Sequence, residues 1–474
     1  MDAESLSLVK DSASSHTFQS ESIRLVSSSL ALAGGFFVTS LGIALILYVV
    51  MSSMKNCPFR LILNAITLVF CSFSCANPAS DGNWLSWRGP SGDGVAAMGQ
   101  NIPTKWSETQ HLKWKALVPG RGHSTPIVVD DRIFLTTARE EEGSQSALCY
   151  SFSTGDLIWE KVLLEGLLPV KIHRKNTHAS PSVASDGEKI FALFFVAGDR
   201  LRLFSLDLNG NELWQLDVGR FYPEQSFGYG TTPLLAAGNV VVAAESQGEG
   251  YIAAFDASSG KEVWRTARKA VRSSYGSPVL ANFGGVDQIV LNGADRVASY
   301  DPQTGCEFWS VEGGDPLVAN SVVWKDGVVF ASGGYPGRET WAIDVASGKI
   351  IWSSQVKCYE QSMLVVDDYL YGVAEGGLVH CWDPNSGEIL WRERLPKGPE
   401  CASPVLANGY ILHANEEGKV FVIKPNSEKL ELVAENQLGE EIFASPVVCR
   451  DRILIRSASY NGEARSETLY SIGF

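Results

Sequence analysis

The chain has 474 residues, a formal net charge of −14, 19% charged and 10% aromatic residues, 45 glycines and 13 tryptophans. Residues 1–76 carry four basic and four acidic side chains, so the whole acidic excess lies beyond them. That balance excludes a nucleic-acid binder, which needs basic surface, and the richness in turn and aromatic residues suits many short strands.

Two apolar segments open the chain. Leu30 to Val50 is uncharged and long enough to span a bilayer, which predicts a transmembrane helix within residues 1–53. Leu61 to Phe73, preceded by Lys55 and Arg60 and followed by Ser74-Cys75-Ala76, gives residues 54–76 the layout of a secretory signal. A complete signal placed downstream of another hydrophobic helix, with Met51 and Met54 available as starts, points to a gene-model extension over residues 1–53. Either start exports the rest of the chain, to the periplasm or the cell exterior. Phe73, two residues before Cys75, departs from the usual lipobox and argues against lipidation. Residues 77–110 form a leader that contains Trp87-Arg-Gly-Pro-Ser-Gly-Asp-Gly94.

Residues 111–474 repeat one phrase: an apolar strand, Asp or its equivalent, turn residues, Gly, and a Trp four positions later. The Gly and Trp pairs are Gly155 and Trp159, Gly210 and Trp214, Gly260 and Trp264, Gly305 and Trp309, Gly348 and Trp352, and Gly387 and Trp391. The successive Trp spacings are 55, 50, 45, 43 and 39 residues, a period that marks propeller blades. Asp with Ser or Thr and Gly suits a tight hairpin, and each Trp is read as a structural staple between adjacent sheets. A second repeat opens the inner strands: Thr125-Pro126, Ser180-Pro181, Thr232-Pro233, Ser277-Pro278, Ser403-Pro404 and Ser445-Pro446, with Ser321-Val322 and Ser362-Met363 as variants. Pro fits the first residue of a strand, where no ladder bond is lost.

Eight such openings predict an all-β, eight-bladed β-propeller. The last blade runs out of chain before its outer strand, and His111-Leu-Lys-Trp114-Lys-Ala has that strand's pattern without a blade of its own. Pairing the two closes the ring by its termini and removes sheet edges. The six propeller cysteines, Cys149, Cys306, Cys358, Cys381, Cys401 and Cys449, lack metal-like spacing and are read as buried small hydrophobes, with a Cys358–Cys401 bridge as the alternative.

The phrase Asp-x-x-Ser/Thr-Gly-x-x-x-Trp with an upstream Ser-Pro strand resembles the PQQ-like (pyrrolo-quinoline quinone) repeat. That repeat is shared by quinoprotein dehydrogenases and by non-enzymatic propellers, among them the propeller lipoprotein of the outer-membrane β-barrel assembly machinery. The Trp87–Gly94 motif is similar to that of a group of secreted PQQ-like propellers. The resemblance covers roughly residues 84–474; it implies the fold strongly and the activity weakly, since one superfold hosts many functions.

Functional groups are sought where the repeat places the mouth of the central channel. Taking the residue three before each Pro-equivalent position gives a ring of His123, His178, Gly230, Tyr275, Ala319, Glu360, Cys401 and Phe443, with Arg174 and Asn176 nearby. These side chains are candidates for holding a metal ion or a small polar ligand, against the alternative that they are ordinary residues at strand starts, too far apart across the funnel for shared coordination; no catalytic or metal residue is assigned. The loops 219–230 and 333–338 are further candidates for covering the funnel or contacting a partner. Adjacent cysteines, haem-attachment motifs, phosphate-cradling Gly loops and long insertions are all missing from the sequence, which leaves quinoprotein chemistry little support. The preferred expectation is an exported, monomeric, non-catalytic propeller without a cofactor, a scaffold for protein partners in the cell envelope, touching the membrane only through its N-terminal segment. A quinoprotein oxidoreductase with PQQ and calcium is the alternative, and a secreted carbohydrate-active propeller is the third.

Overall fold

The computed structural model describes residues 82–474 apart from 170, 269, 294, 314–316 and 397. The expected transmembrane helix, signal segment and Cys75 lie outside the described residues.

Eight four-stranded antiparallel sheets make up the propeller. Blade 1 begins at Ile127–Val129, and blades 2 to 7 begin at Ala184–Ser185, Leu234–Ala236, Val279–Phe283, Val323–Lys325, Leu364–Val366 and Val405–Ala407. Blade 8 is composite: Val447–Cys449, Arg452–Asn461 and Ala464–Ile472 take Leu112–Val118 as their outer strand, with Leu117 opposite Thr468 and Val118 opposite Glu467. The ring therefore closes through the two ends of the repeat region. Among the described residues the helical content is one 3-10 turn, Glu224–Ser226.

The repeated Trp works through a feature that strand periodicity hides. In every blade the outer pair carries a β-bulge at the residue just before the Trp or its equivalent. In blade 3, for example, Trp264 faces Ala254 and Glu262 faces Phe255, which leaves Val263 as the extra residue. A bulge re-aims the side chain beside it, and here it turns each indole toward the next blade. Trp114, Trp159, Trp214, Trp264, Trp352 and Trp391 each donate the indole N–H to a carbonyl in the neighbouring hairpin, at 2.7–3.2 Å. Trp309 instead donates to Gln288 of its own blade at 3.0 Å. The bulged residue is left facing water: Ile158, Leu213, Val263, Phe308, Ile351 and Leu390 are all exposed.

Beneath the rings of Trp114, Trp159, Trp214, Trp264 and Trp352 lies the hairpin Gly of the next blade, whereas Gly348 meets only the Cβ of Trp309 and the hairpin that Trp391 reaches has no Gly. Gly305, at φ +69°, has no room for a Cβ because the ring of Trp264 and the hydroxyl of Thr266 occupy that space. The hairpins are held as expected by side-chain bonds, as where Asp256 accepts from the amide and hydroxyl of Ser259 at 2.8 and 2.6 Å.

The inner strands are joined by a belt of hydroxyls around the axis. The amides of Thr125, Ser182, Thr232, Ser321, Ser362, Ser403 and Ser445 each donate to the hydroxyl of the next residue in the ring, at 2.8–3.2 Å. The remaining step is reversed, with the Ser321 hydroxyl donating to the Ser277 carbonyl at 2.8 Å. This belt corrects the alignment of blade 2. Its strand opener is Ser182-Val183, because Ser182 and not Ser180 lies two residues before the first strand and carries the belt hydroxyl.

The leader crosses the channel. Trp84 bridges Val128 of blade 1, and Val95 bridges Leu406 of blade 7. Between them the buried Arg88 donates to the carbonyls of Met363 (2.8 Å), Pro404 (2.8 Å) and Asp93 (2.7 Å), tying blades 6 and 7 together. Desolvation pushes Arg88 down to about 10, with Asp93 opposing the fall, and it stays charged at neutral pH. Gly94, at φ +87°, leaves the space the Arg88 guanidinium fills.

All six propeller cysteines are free, which removes the Cys358–Cys401 bridge. The two belong to different environments: Cys358 is in the core of blade 6 against Trp382, whereas Cys401 faces the channel.

Candidate functional site

A cavity of about 360 Å³ occupies the channel above the hydroxyl belt. Its wall follows from the repeat: each inner strand starts at the axis, so the residue two before each belt hydroxyl faces inward. With blade 2 realigned these residues are His123, Ser180, Gly230, Tyr275, Ala319, Glu360, Cys401 and Phe443, and all eight line the cavity. His178 does not line it; the two-residue correction puts Ser180 in its place, and the His178 carbonyl accepts from Gln145 Nε2 at 2.6 Å. Asn176 lines the wall, whereas Arg174 does not and offers only its carbonyl, to Arg121 at 2.9 Å. The belt hydroxyls of Thr125, Ser182, Thr232, Ser277 and Ser445 form the next layer down. Trp87 of the leader reaches the same cavity, with its indole N–H 3.4 Å from the Ser445 hydroxyl, and supplies the floor.

The roof is a loop, residues 171–177, that joins blades 1 and 2. Its His173 amide donates to Ser226 at 2.7 Å and its Asn176 side chain donates to Phe227, which pins it to the loop 219–230. Lys175 then crosses to Glu416 of blade 7, 2.9 Å away, spanning the two blades between. Loop 219–230 covers one side of the cavity with Phe227 and Gly230, and of loop 333–338, Tyr335 pairs with the lining residue Leu317.

The titratable groups of this wall are held mainly neutral. Burial drives His123 well below the usual imidazole value, and nearby Arg121, Arg456 and Arg465 push the same way. Its ring stacks on Phe443 at 4.1 Å, and Nε2 is buried without a hydrogen-bond partner. Burial raises Glu360 above the ordinary carboxylate range, and raises the Cys401 thiol well above its usual value with Glu360 reinforcing it. Burial alone lowers Lys175, but its bond to Glu416 outweighs this and keeps the ammonium charged. Ligand atoms of Glu360, Cys401 and Glu416 all come within 4.8 Å of one another.

A carboxyl with a raised folded-state pKa keeps its proton longer in the folded protein than in the unfolded chain. Stability therefore falls as pH rises from the unfolded value to the folded one. The Glu360→Gln variant is expected to melt with the parent at pH 4 and above it at pH 8; equal shifts at both values would show that Glu360 carries no burial penalty.

Neither Lys175 nor Glu416 is marked by the repeat, and 241 positions separate them in the chain. Trp87 sits in a visible motif, yet nothing local to that motif tells where it docks.

A family model described as "Outer membrane protein assembly factor BamB" matches residues 79–227, 179–393 and 375–468. The outer membrane protein assembly factor BamB of Burkholderia pseudomallei is 24% identical over 384 residues, covering 75% of this chain and 89% of that protein. The Escherichia coli protein of the same name is 30% identical over 158 residues, 33% of this chain and 36% of that one. Among solved structures, BamB from Moraxella catarrhalis superposes with a TM-score of 0.56 at 17% identity, covering 76% of this chain and 96% of that chain. A europium-containing methanol dehydrogenase superposes with a TM-score of 0.62 at 11% identity, covering 84% and 99%. At these identities the structural likenesses establish the fold alone.

Proposed function

We propose, for a chain that belongs to the outer membrane protein assembly factor BamB family, that it is an exported, non-catalytic scaffold which holds envelope proteins during outer membrane protein assembly. The observation that carries this reading is the extent of the family match, which runs from the leader into the last blade in three overlapping stretches. The chemistry of the channel agrees with it. A thiol held protonated, a neutral imidazole and a carboxyl with a raised pKa supply no activated nucleophile.

The lining does not suit PQQ with calcium. A polycarboxylate quinone calls for free cations, but among the described residues the cavity wall has no arginine and its one lysine is bonded to Glu416. Calcium calls for an all-oxygen cage, whereas the converging donors include the Cys401 thiol. The carbohydrate-active reading fares no better. Glu360 and Glu416 do approach each other, but Glu416 is engaged by Lys175.

The test is photo-crosslinking in the native cells from Phe308 and Ile351, two of the exposed bulge positions. Adducts to outer-membrane assembly proteins, with lower outer-membrane protein levels when the chain is depleted, are the expected result. No adducts and unchanged levels, or dye-linked alcohol oxidation on adding PQQ and calcium, would overturn the proposal.

A further inference from the structure

The Lys175 ammonium is the feature of the cavity that scaffolding does not use. Its carrier loop comes from the far side of the mouth, yet the side chain ends on Glu416, whose side chain is only 8% exposed, beside Glu360 and Cys401. Glu416 thus already holds a cation beside the Glu360 carboxyl and the Cys401 thiol, and the lysine that supplies it is half exposed. The rest of the cavity suits the same kind of guest. Trp87, Tyr275, Tyr359 and Phe443 give aromatic walls, which attract ammonium groups over their faces. On the opposite side the orphaned His123 Nε2 is a hydrogen-bonding atom that no described residue satisfies, and buried polar atoms are rarely left so. A volume of about 360 Å³ is at the small end of ligand sites.

We infer that the axial cavity binds a small aliphatic amine, whose ammonium takes the place of Lys175 on Glu416, beside Glu360. Lys175 acts as a built-in competitor and the 171–177 loop as the flap it fastens. An added metal ion is the rival guest, since two carboxylates and a thiol would also hold zinc.

The experiment is calorimetric titration of the purified protein with 1,5-diaminopentane, with zinc chloride in a parallel arm. Saturable amine binding is expected in the parent. Lys175→Met should tighten it about fivefold, the competition a half-exposed ion pair offers, and Glu360→Gln with Glu416→Gln should abolish it while the circular dichroism spectrum is kept. Absence of saturable binding in both parent and Lys175→Met would overturn the inference. So would amine binding that survives the double Gln change, or zinc binding without amine binding. These outcomes are independent of the crosslinking result, because a scaffold with or without an amine in its channel crosslinks alike.

Discussion

The Gly305→Ala variant is expected to lose about 3 kcal/mol of stability in urea unfolding, from two sources that can be separated. A side chain at positive φ costs about 1 kcal/mol, and forcing a methyl into a filled space costs about 1–3 kcal/mol more. At Gly305 that space is taken by the Trp264 ring of the preceding blade and by Thr266, whose hydroxyl donates to the Gly305 carbonyl at 2.7 Å. Trp264→Ala by itself should cost about 3–5 kcal/mol, since it empties a site that is 8% exposed and leaves the Pro302 carbonyl unpaired. In the Trp264→Ala background, Gly305→Ala should then cost only about 1–2 kcal/mol, the backbone part with what the remaining Thr266 hydroxyl adds. Residues in contact couple in this way and distant ones do not. Equal costs in the two backgrounds would mean that the repeated Gly serves its own hairpin only and that blades are not stapled through it.

That coupling explains what the sequence could and could not disclose. Trp and Gly recur at one spacing because a Trp of one blade rests on the Gly of the next, so blade number and ring closure through Trp114 were both readable. The bulge before each Trp was not, because an extra residue in one strand has no signature in a pattern whose period is two. Blade 2 departs from the alignment its residue types predict, for a physical reason. Ser180-Pro181 has the right residue types, but register is settled by which hydroxyl reaches the Thr125 amide, and that is Ser182. The same slip exchanged Ser180 for His178 on the cavity wall. Seven of the eight positions first read for that wall, among them His123, Tyr275, Glu360 and Cys401, do line it, because a rigid repeat carries position along with residue number. Lys175 and Glu416 escaped notice because their meeting depends on two loops converging from blades that are not neighbours.

Arg88→Ala should be the most damaging single change in the leader, at about 4 kcal/mol. The side chain is 4% exposed and its donors end on three carbonyls from three segments. Truncation leaves those acceptors buried and unpaired, at about 1–3 kcal/mol for each group that finds no water. Loss on this scale should be accompanied by faster hydrogen exchange at the amides of Val128 and Leu406, which donate to the carbonyls of Trp84 and Gly94, with the hydroxyl-belt amides of blades 2 and 3 still protected. The effect should reach the cavity as well. Met363 and Pro404, whose carbonyls Arg88 clamps, lie three residues after Glu360 and Cys401, in the segments that lead into the inner strands of blades 6 and 7. Releasing the clamp frees blades 6 and 7 to separate, and with them the two groups that converge on Glu416. A variant that loses under about 1 kcal/mol and exchanges like the parent would mean that the leader only rests on the propeller. The expected result makes it a structural part, one that closes the channel from below and sets the spacing of the groups above.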